Sequence, residues 1–110
     1  MDSYRKVVLK TVKISPDDQL LWAALGICVD AGEFANFIKK SEFHNQELDR
    51  DQMIRKLGDI AWYLELAAHN LGVSMDQVKE QNIAKLRLRY PEAFNDPLSP
   101  VINNEDSDSE

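Results

Sequence analysis

Met53, Leu57, Ala61, Leu64, Ala68 and Leu71 recur at steps of three or four residues, and Gly72 follows at once. That period belongs to a helix, and a glycine just past the last apolar turn is a common way for a helix to stop. The row predicts a helix from about Asp49 to Leu71. Upstream, Ser15-Pro16-Asp17-Asp18 reads as a second helix start. Ser15 can cap, Pro16 suits the first helical position, and the two aspartates complement the positive end of the dipole. This helix is expected to run from about Pro16 to Lys40, with Lys39 and Lys40 at its negative end. Leu21, Leu25, Cys28 and Gly32 are its expected inner stripe. Ser74 with Gln77 forms a capping box for a last helix, Met75 to Arg89, which Tyr90-Pro91 ends. Tyr4 to Ile14 reads as a short helix or an extended arm. The expected class is all-α, a helical bundle of two long antiparallel helices plus shorter ones, without internal repeats.

Size and composition narrow this further. With 110 residues the chain suffices for one core. Only 4 Gly and 4 Pro argue against a turn-rich β-sandwich. No apolar run of roughly 18 residues is visible, so no membrane span is expected. The first residues lack the apolar stretch of a secretory signal. The single Cys28 has no partner for an internal disulfide and reads as a small core residue, which fits a reducing, cytoplasmic setting.

The formal charge of −6 is concentrated at one end. Residues 91–110 carry Glu92, Asp96, Glu105, Asp106, Asp108 and Glu110 and no Lys or Arg, so the first ninety residues balance to zero. A helical domain over 1–95 followed by an acidic, disordered tail over 96–110 is the expected organisation. No basic stripe tracks a nucleic-acid backbone, which disfavours a duplex binder. Trp22, Phe34, Phe37, Trp62 and Tyr63 fall off the inner stripes or on their shoulders. Helices apolar on two faces usually associate with a copy of themselves, so a dimer or tetramer is expected.

Asp30 and Glu33 lie three apart on the first long helix, within Gly26-Ile27-Cys28-Val29-Asp30-Ala31-Gly32-Glu33-Phe34-Ala35. Their carboxylates share a face amid apolar and small neighbours, where an unpaired charge is costly. A hard divalent cation such as Mg²⁺, with Mn²⁺ as an alternative, is the natural partner. Asp59 sits in similar surroundings on the next long helix. Gly32 and Gly58 each precede an acid, and serve either close helix approach or a ligand that needs room. On the last helix Asn82, Lys85 and Arg89 share one face and suit phosphate oxygens. Each signal alone is also what a solvated helix face shows. The conjunction is more telling.

These residues resemble the MazG-like all-α nucleoside triphosphate pyrophosphohydrolases, from about Leu20 to Phe94. The resemblance rests on Ala24-Leu25-Gly26, Asp30-Ala31-Gly32-Glu33, Phe37-Ile38-Lys39-Lys40, Leu57-Gly58-Asp59-Ile60-Ala61-Trp62-Tyr63 and Asn82 through Pro91. It implies cleavage of a nucleoside triphosphate between its α- and β-phosphates. It also implies Mg²⁺ held by Glu-x-x-Glu on one helix and Glu-x-x-Asp on the next. On this chain those positions are Asp30, Glu33, Lys56 and Asp59. Asp30 keeps the charge with one methylene less. Lys56 replaces a carboxylate by an ammonium and removes a ligand. The resemblance thus assigns the metal to Asp30, Glu33 and Asp59, with Glu33 and Asp59 catalytic. Phosphate falls to Lys56, Asn82, Lys85 and Arg89, and the base to Trp22, Phe37, Trp62 and Tyr63. The alternative is a catalytically degenerate relative serving as a nucleotide-binding or protein-interaction module.

Overall fold

A computed structural model describes residues 3–95. Every regular element among them is helical: α1 (Ser3–Thr11), a 3₁₀ turn (Pro16–Asp18), α2 (Gln19–Phe43), α3 (Arg50–Asn70), α4 (Met75–Arg89) and α5 (Pro91–Asn95). The predicted acidic tail lies outside the described residues. The chain divides into two compact units, one ending at Met75 and one beginning at Asp76.

Local signals account for most boundaries. Asp49 caps α3, its carboxylate accepting from the Gln52 N–H at 3.2 Å. Gly72 ends it in the left-handed region at φ 77°, where glycine avoids the Cβ penalty. The N-terminal segment is a helix to Thr11. Ser15 makes no side-chain capping bond. Its carbonyl instead accepts from the Asp18 N–H at 2.9 Å, so the chain tightens into a 3₁₀ turn and α2 starts three residues late. Beyond Tyr90 the chain turns helical once more as α5, where Arg87 lies 5.1 Å from the Phe94 ring centroid.

Helices α2 and α3 pack against each other along one seam. Gln19 meets Asn70, Gly26 faces Tyr63 and Glu33 meets Lys56. Numbers fall on α3 as they rise on α2, so the helices are antiparallel. The seam positions of α2, spaced by three and four, change character along its length. An amide pair comes first, then Ala23 and Leu66 in the buried core, then a glycine against an aromatic ring, then charges.

This corrects the expected inner stripe of α2. Leu21 and Leu25 are 64% and 55% exposed, and Cys28 is exposed rather than core. Leu57, Leu64 and Leu71 of the predicted α3 row are exposed as well, while Ala68 is buried. The polar seam residues have to meet one another, and that rotates the aliphatic faces outward. By length and composition alone, Pro16–Phe43 contains an 18-residue window of mean hydropathy 1.3, long and apolar enough to cross a membrane.

Helix α1 docks on α3 through a buried ion pair. Arg5 Nε donates to Glu65 Oε2 at 2.5 Å, and Arg5 Nη2 to the Val73 carbonyl at 2.9 Å. Arg5 Nη1 lies 3.4 Å from His69 Nδ1. Arginine only donates, so in this contact Nδ1 is the acceptor. Val8 reaches the core beside Ala23 and Leu66. The pair is expensive to desolvate, and these added bonds offset that cost.

Only one of three helical glycines is sterically required. A Cβ on Gly26 would strike the Tyr63 ring, whereas positions 32 and 58 have open space around them. Close helix approach is thus not what Gly32 and Gly58 serve. Gly26→Ala should cost about 1–3 kcal/mol by overpacking. Gly58→Ala should be neutral or gain up to about 1 kcal/mol from helix propensity. Urea unfolding followed by circular dichroism ranks the two, and the reverse order would contradict this seam.

Candidate active site

Past Tyr63 the seam becomes charged. Lys56 Nζ donates to Glu33 Oε1 at 2.6 Å and lies 3.6 Å from Asp30 Oδ1 and 3.5 Å from Asp59 Oδ2. Three carboxylates from two helices therefore surround one point, and an ammonium fills it. Glu33 and Lys56 are seam partners, and Asp59 follows Lys56 by one helical turn, as Asp30 precedes Glu33. The helical spacing alone makes the four converge once the helices run antiparallel. Asp30 is the most enclosed of the three acids, its side chain 14% exposed, while Glu33 and Asp59 open to water.

The Glu33 hydrogen bond, helped by the charges of Asp30 and Glu33 and by a hydrogen bond to Asp59, raises Lys56 from the usual 10.5 to about 12, against a downward pull from desolvation. On the lysine's side the pairing is therefore complete below 10.5 and is lost as pH rises through about 12.

The acids suit one hard divalent ion in kind and charge. Three carboxylates less one ammonium leave two negative charges, and oxygen donors are what Mg²⁺ takes. They do not offer a fourth carboxylate. No three acidic, imidazole or thiol groups among the described residues are placed to hold a metal ion. The point that Asp30, Glu33 and Asp59 share is filled by the Lys56 ammonium.

Beside this cluster is a cavity of about 530 Å³. Trp22, Trp62 and Tyr63 supply aromatic surface to it, and Asp30 and Asp59 reach it from the charged end. Trp62 and Tyr63 stack edge to face, with centroids 5.2 Å apart. Its size falls within the range of about 300–1,000 Å³ typical of small-molecule sites. Phe37 is half-buried on α2 and is not among the residues lining it. Asn82, Lys85 and Arg89 are exposed on α4, in the second unit.

One wall escaped the sequence reading. Thr11, Lys13 and Ile14, at and beyond the end of α1, line the same cavity. Trp62 Nε1 donates to Thr11 Oγ1 at 2.8 Å. Elsewhere on α1, burial and then the charges of Glu65 and Asp59 push the Tyr4 phenol up from 10.0. No spacing rule joins residue 11 to residue 62, so only the docked helix reveals the wall.

Residues 24–94 match the family described as MazG nucleotide pyrophosphohydrolase domain. A curated relative, the Gene 37 protein of Mycobacterium phage L5, is 35% identical over 75 residues, which is 64% of this chain. The chain spans 65% of the length of that relative. No solved structure matches.

Replacing the ammonium by an uncharged chain should leave the three acids in need of a cation. Lys56→Met is expected to gain about 4 °C or more in melting temperature from millimolar Mg²⁺, the shift that about 1 kcal/mol of binding produces in a domain of this size. The unsubstituted protein should gain less. Equal gains in a thermal melt would mean that Lys56 does not compete for that place.

Proposed function

The chain belongs to the MazG nucleotide pyrophosphohydrolase domain family, and on that premise we propose that it hydrolyses nucleoside triphosphates to monophosphate and pyrophosphate. What supports the reading is the convergence of Asp30, Glu33 and Asp59 on one cation position beside an aromatic-walled cavity. In this reading the three acids would hold one Mg²⁺, or Mn²⁺, in the place Lys56 now fills. The ion would neutralise phosphate charge and make a bound water easier to deprotonate. Glu33, open to solvent, takes the water's proton. Water oxygen bonds to phosphorus as the bridge between the α- and β-phosphates breaks, and pyrophosphate leaves. Asp59 positions the charged end with Asp30.

Lys56, once free, donates to a phosphate oxygen, standing in for the charge a second ion would bring. Asn82, Lys85 and Arg89 are further phosphate contacts that the family resemblance supplies. Trp22, Trp62 and Tyr63 offer faces on which a base can stack, and Phe37 is the remaining aromatic candidate.

Self-association belongs to the same proposal. The buried apolar residues of the described chain are Val8, Ala23, Leu66 and Ala68, while Leu20, Leu21, Leu25 and Val29 on α2 and Ile54 and Leu57 on α3 stay exposed. A core this small rarely stabilises a chain alone. A dimer or tetramer that covers those faces, acting in a reducing cytoplasm, fits this pattern.

A second reading is favoured by Lys56 itself, whose ammonium already satisfies the acids. There the scaffold binds nucleotide, or a protein partner, without cleaving. Pyrophosphate release from eight natural (d)NTPs, with and without Mg²⁺, decides between the two. Mg²⁺-dependent release from at least one substrate is expected. No release at micromolar protein would remove the hydrolase reading. Lys56→Glu then sharpens the outcome. A fall in kcat of about tenfold or more is expected if the lysine contacts phosphate. A gain from an inactive parent would mark a degenerate site.

A further inference from the structure

Lys13 stands in the wall of the cavity that the family match does not include, since that match begins at residue 24. The short link carrying it is pinned on both sides. Thr11 Oγ1 accepts from Trp62 on α3, and the Ile14 carbonyl accepts from Gln19 Nε2 on α2 at 3.0 Å. Gln19 is buried, and its Oε1 accepts from Asn70 Nδ2 at 3.1 Å, which fixes the amide's orientation. Between these two anchors Lys13 is exposed and, among the described residues, makes no hydrogen bond or ion pair. It is the one Lys or Arg among the described residues that line this cavity, whose other charged walls are Asp30 and Asp59. The nearby Lys56 ammonium is already shared by three carboxylates. A polyanion entering beside two aspartates is helped by a cation that need not first leave carboxylate partners, and Lys13 on its pinned link is one.

We propose that Lys13 contacts the phosphate chain of a nucleoside triphosphate in this cavity, making the Thr11–Ile14 link part of the substrate site. The inference rests on the cavity's being the triphosphate site, and extends it to a residue outside the family domain.

The test is equilibrium binding of α,β-methylene nucleoside triphosphates, which resist cleavage, to the full chain with Mg²⁺. Tryptophan fluorescence reports it, since Trp22 and Trp62 line the cavity. Lys13→Ala should bind the analogue roughly tenfold more weakly, the loss expected for one charge-assisted contact. Lys13→Arg should stay within about threefold of the parent, and Lys10→Ala, on the same segment but outside the cavity, should match it. The nucleoside without phosphates should bind Lys13→Ala and the parent alike.

Unchanged triphosphate affinity in Lys13→Ala overturns the proposal, as does an equal loss for the bare nucleoside. The two readings fail separately. A parent that binds the analogue but cleaves no natural triphosphate loses the hydrolase reading and leaves Lys13 standing if its substitution weakens binding. A parent that cleaves, with Lys13→Ala binding normally, loses only Lys13. A parent that binds no triphosphate loses both.

Discussion

The charged end of the α2–α3 seam depends on one ammonium. Three carboxylates that face each other across two helices repel, and in a partly enclosed seam they would have to take up protons or splay apart. Lys56 lies within 3.6 Å of an oxygen on each of them and so turns mutual repulsion into cross-helix attraction. It does structurally what a metal ion would do, at a single charge and on a tether. That is why the three acids stay gathered around a lysine. It also sets the terms for any chemistry, because a divalent ion and a lysine cannot share the position.

The opposite end of the unit is held by different means. Arg5 reaches Glu65, His69 and the Val73 carbonyl together, and among the described residues no buried side-chain polar atom lacks a partner. Fixing α1 on α3 brings Thr11 under the Trp62 indole and Ile14 within reach of Gln19. The cavity is therefore walled by three elements, one of which lies outside the span that matches the family. A rigid wall made by hydrogen bonds, rather than by a large core, suits a chain with so few buried aliphatic residues.

Several elements were legible from short-range chemistry alone. Asp49, Gly72 and the Met75–Arg89 span follow from capping and left-handed backbone preferences that act within one turn. Asp30, Glu33 and Asp59 stood out because acids amid small and apolar neighbours need a cation, and Lys56 stood out as the residue breaking the pattern. The inner stripe of α2 was misread because the helix is apolar on more than one side. A wheel of Leu21, Leu25 and Cys28 looks no less like a core than one of Gln19, Ala23 and Gly26. Size favours the first, but complementarity across the seam selects the second. Gly26 is small because Tyr63 lies over it, a fact held by a residue on another helix.

By itself the sequence determined where the helices begin and end and which side chains carry the charge, because caps, period and residue chemistry are local. Only the tertiary structure decided which face of α2 turns inward and that Lys56 fills the acids' common point. It alone brought Lys13 to the cavity as well. Those outcomes depend on register and docking between segments distant in the chain, and no one-dimensional spacing encodes a contact whose two halves lie on different helices.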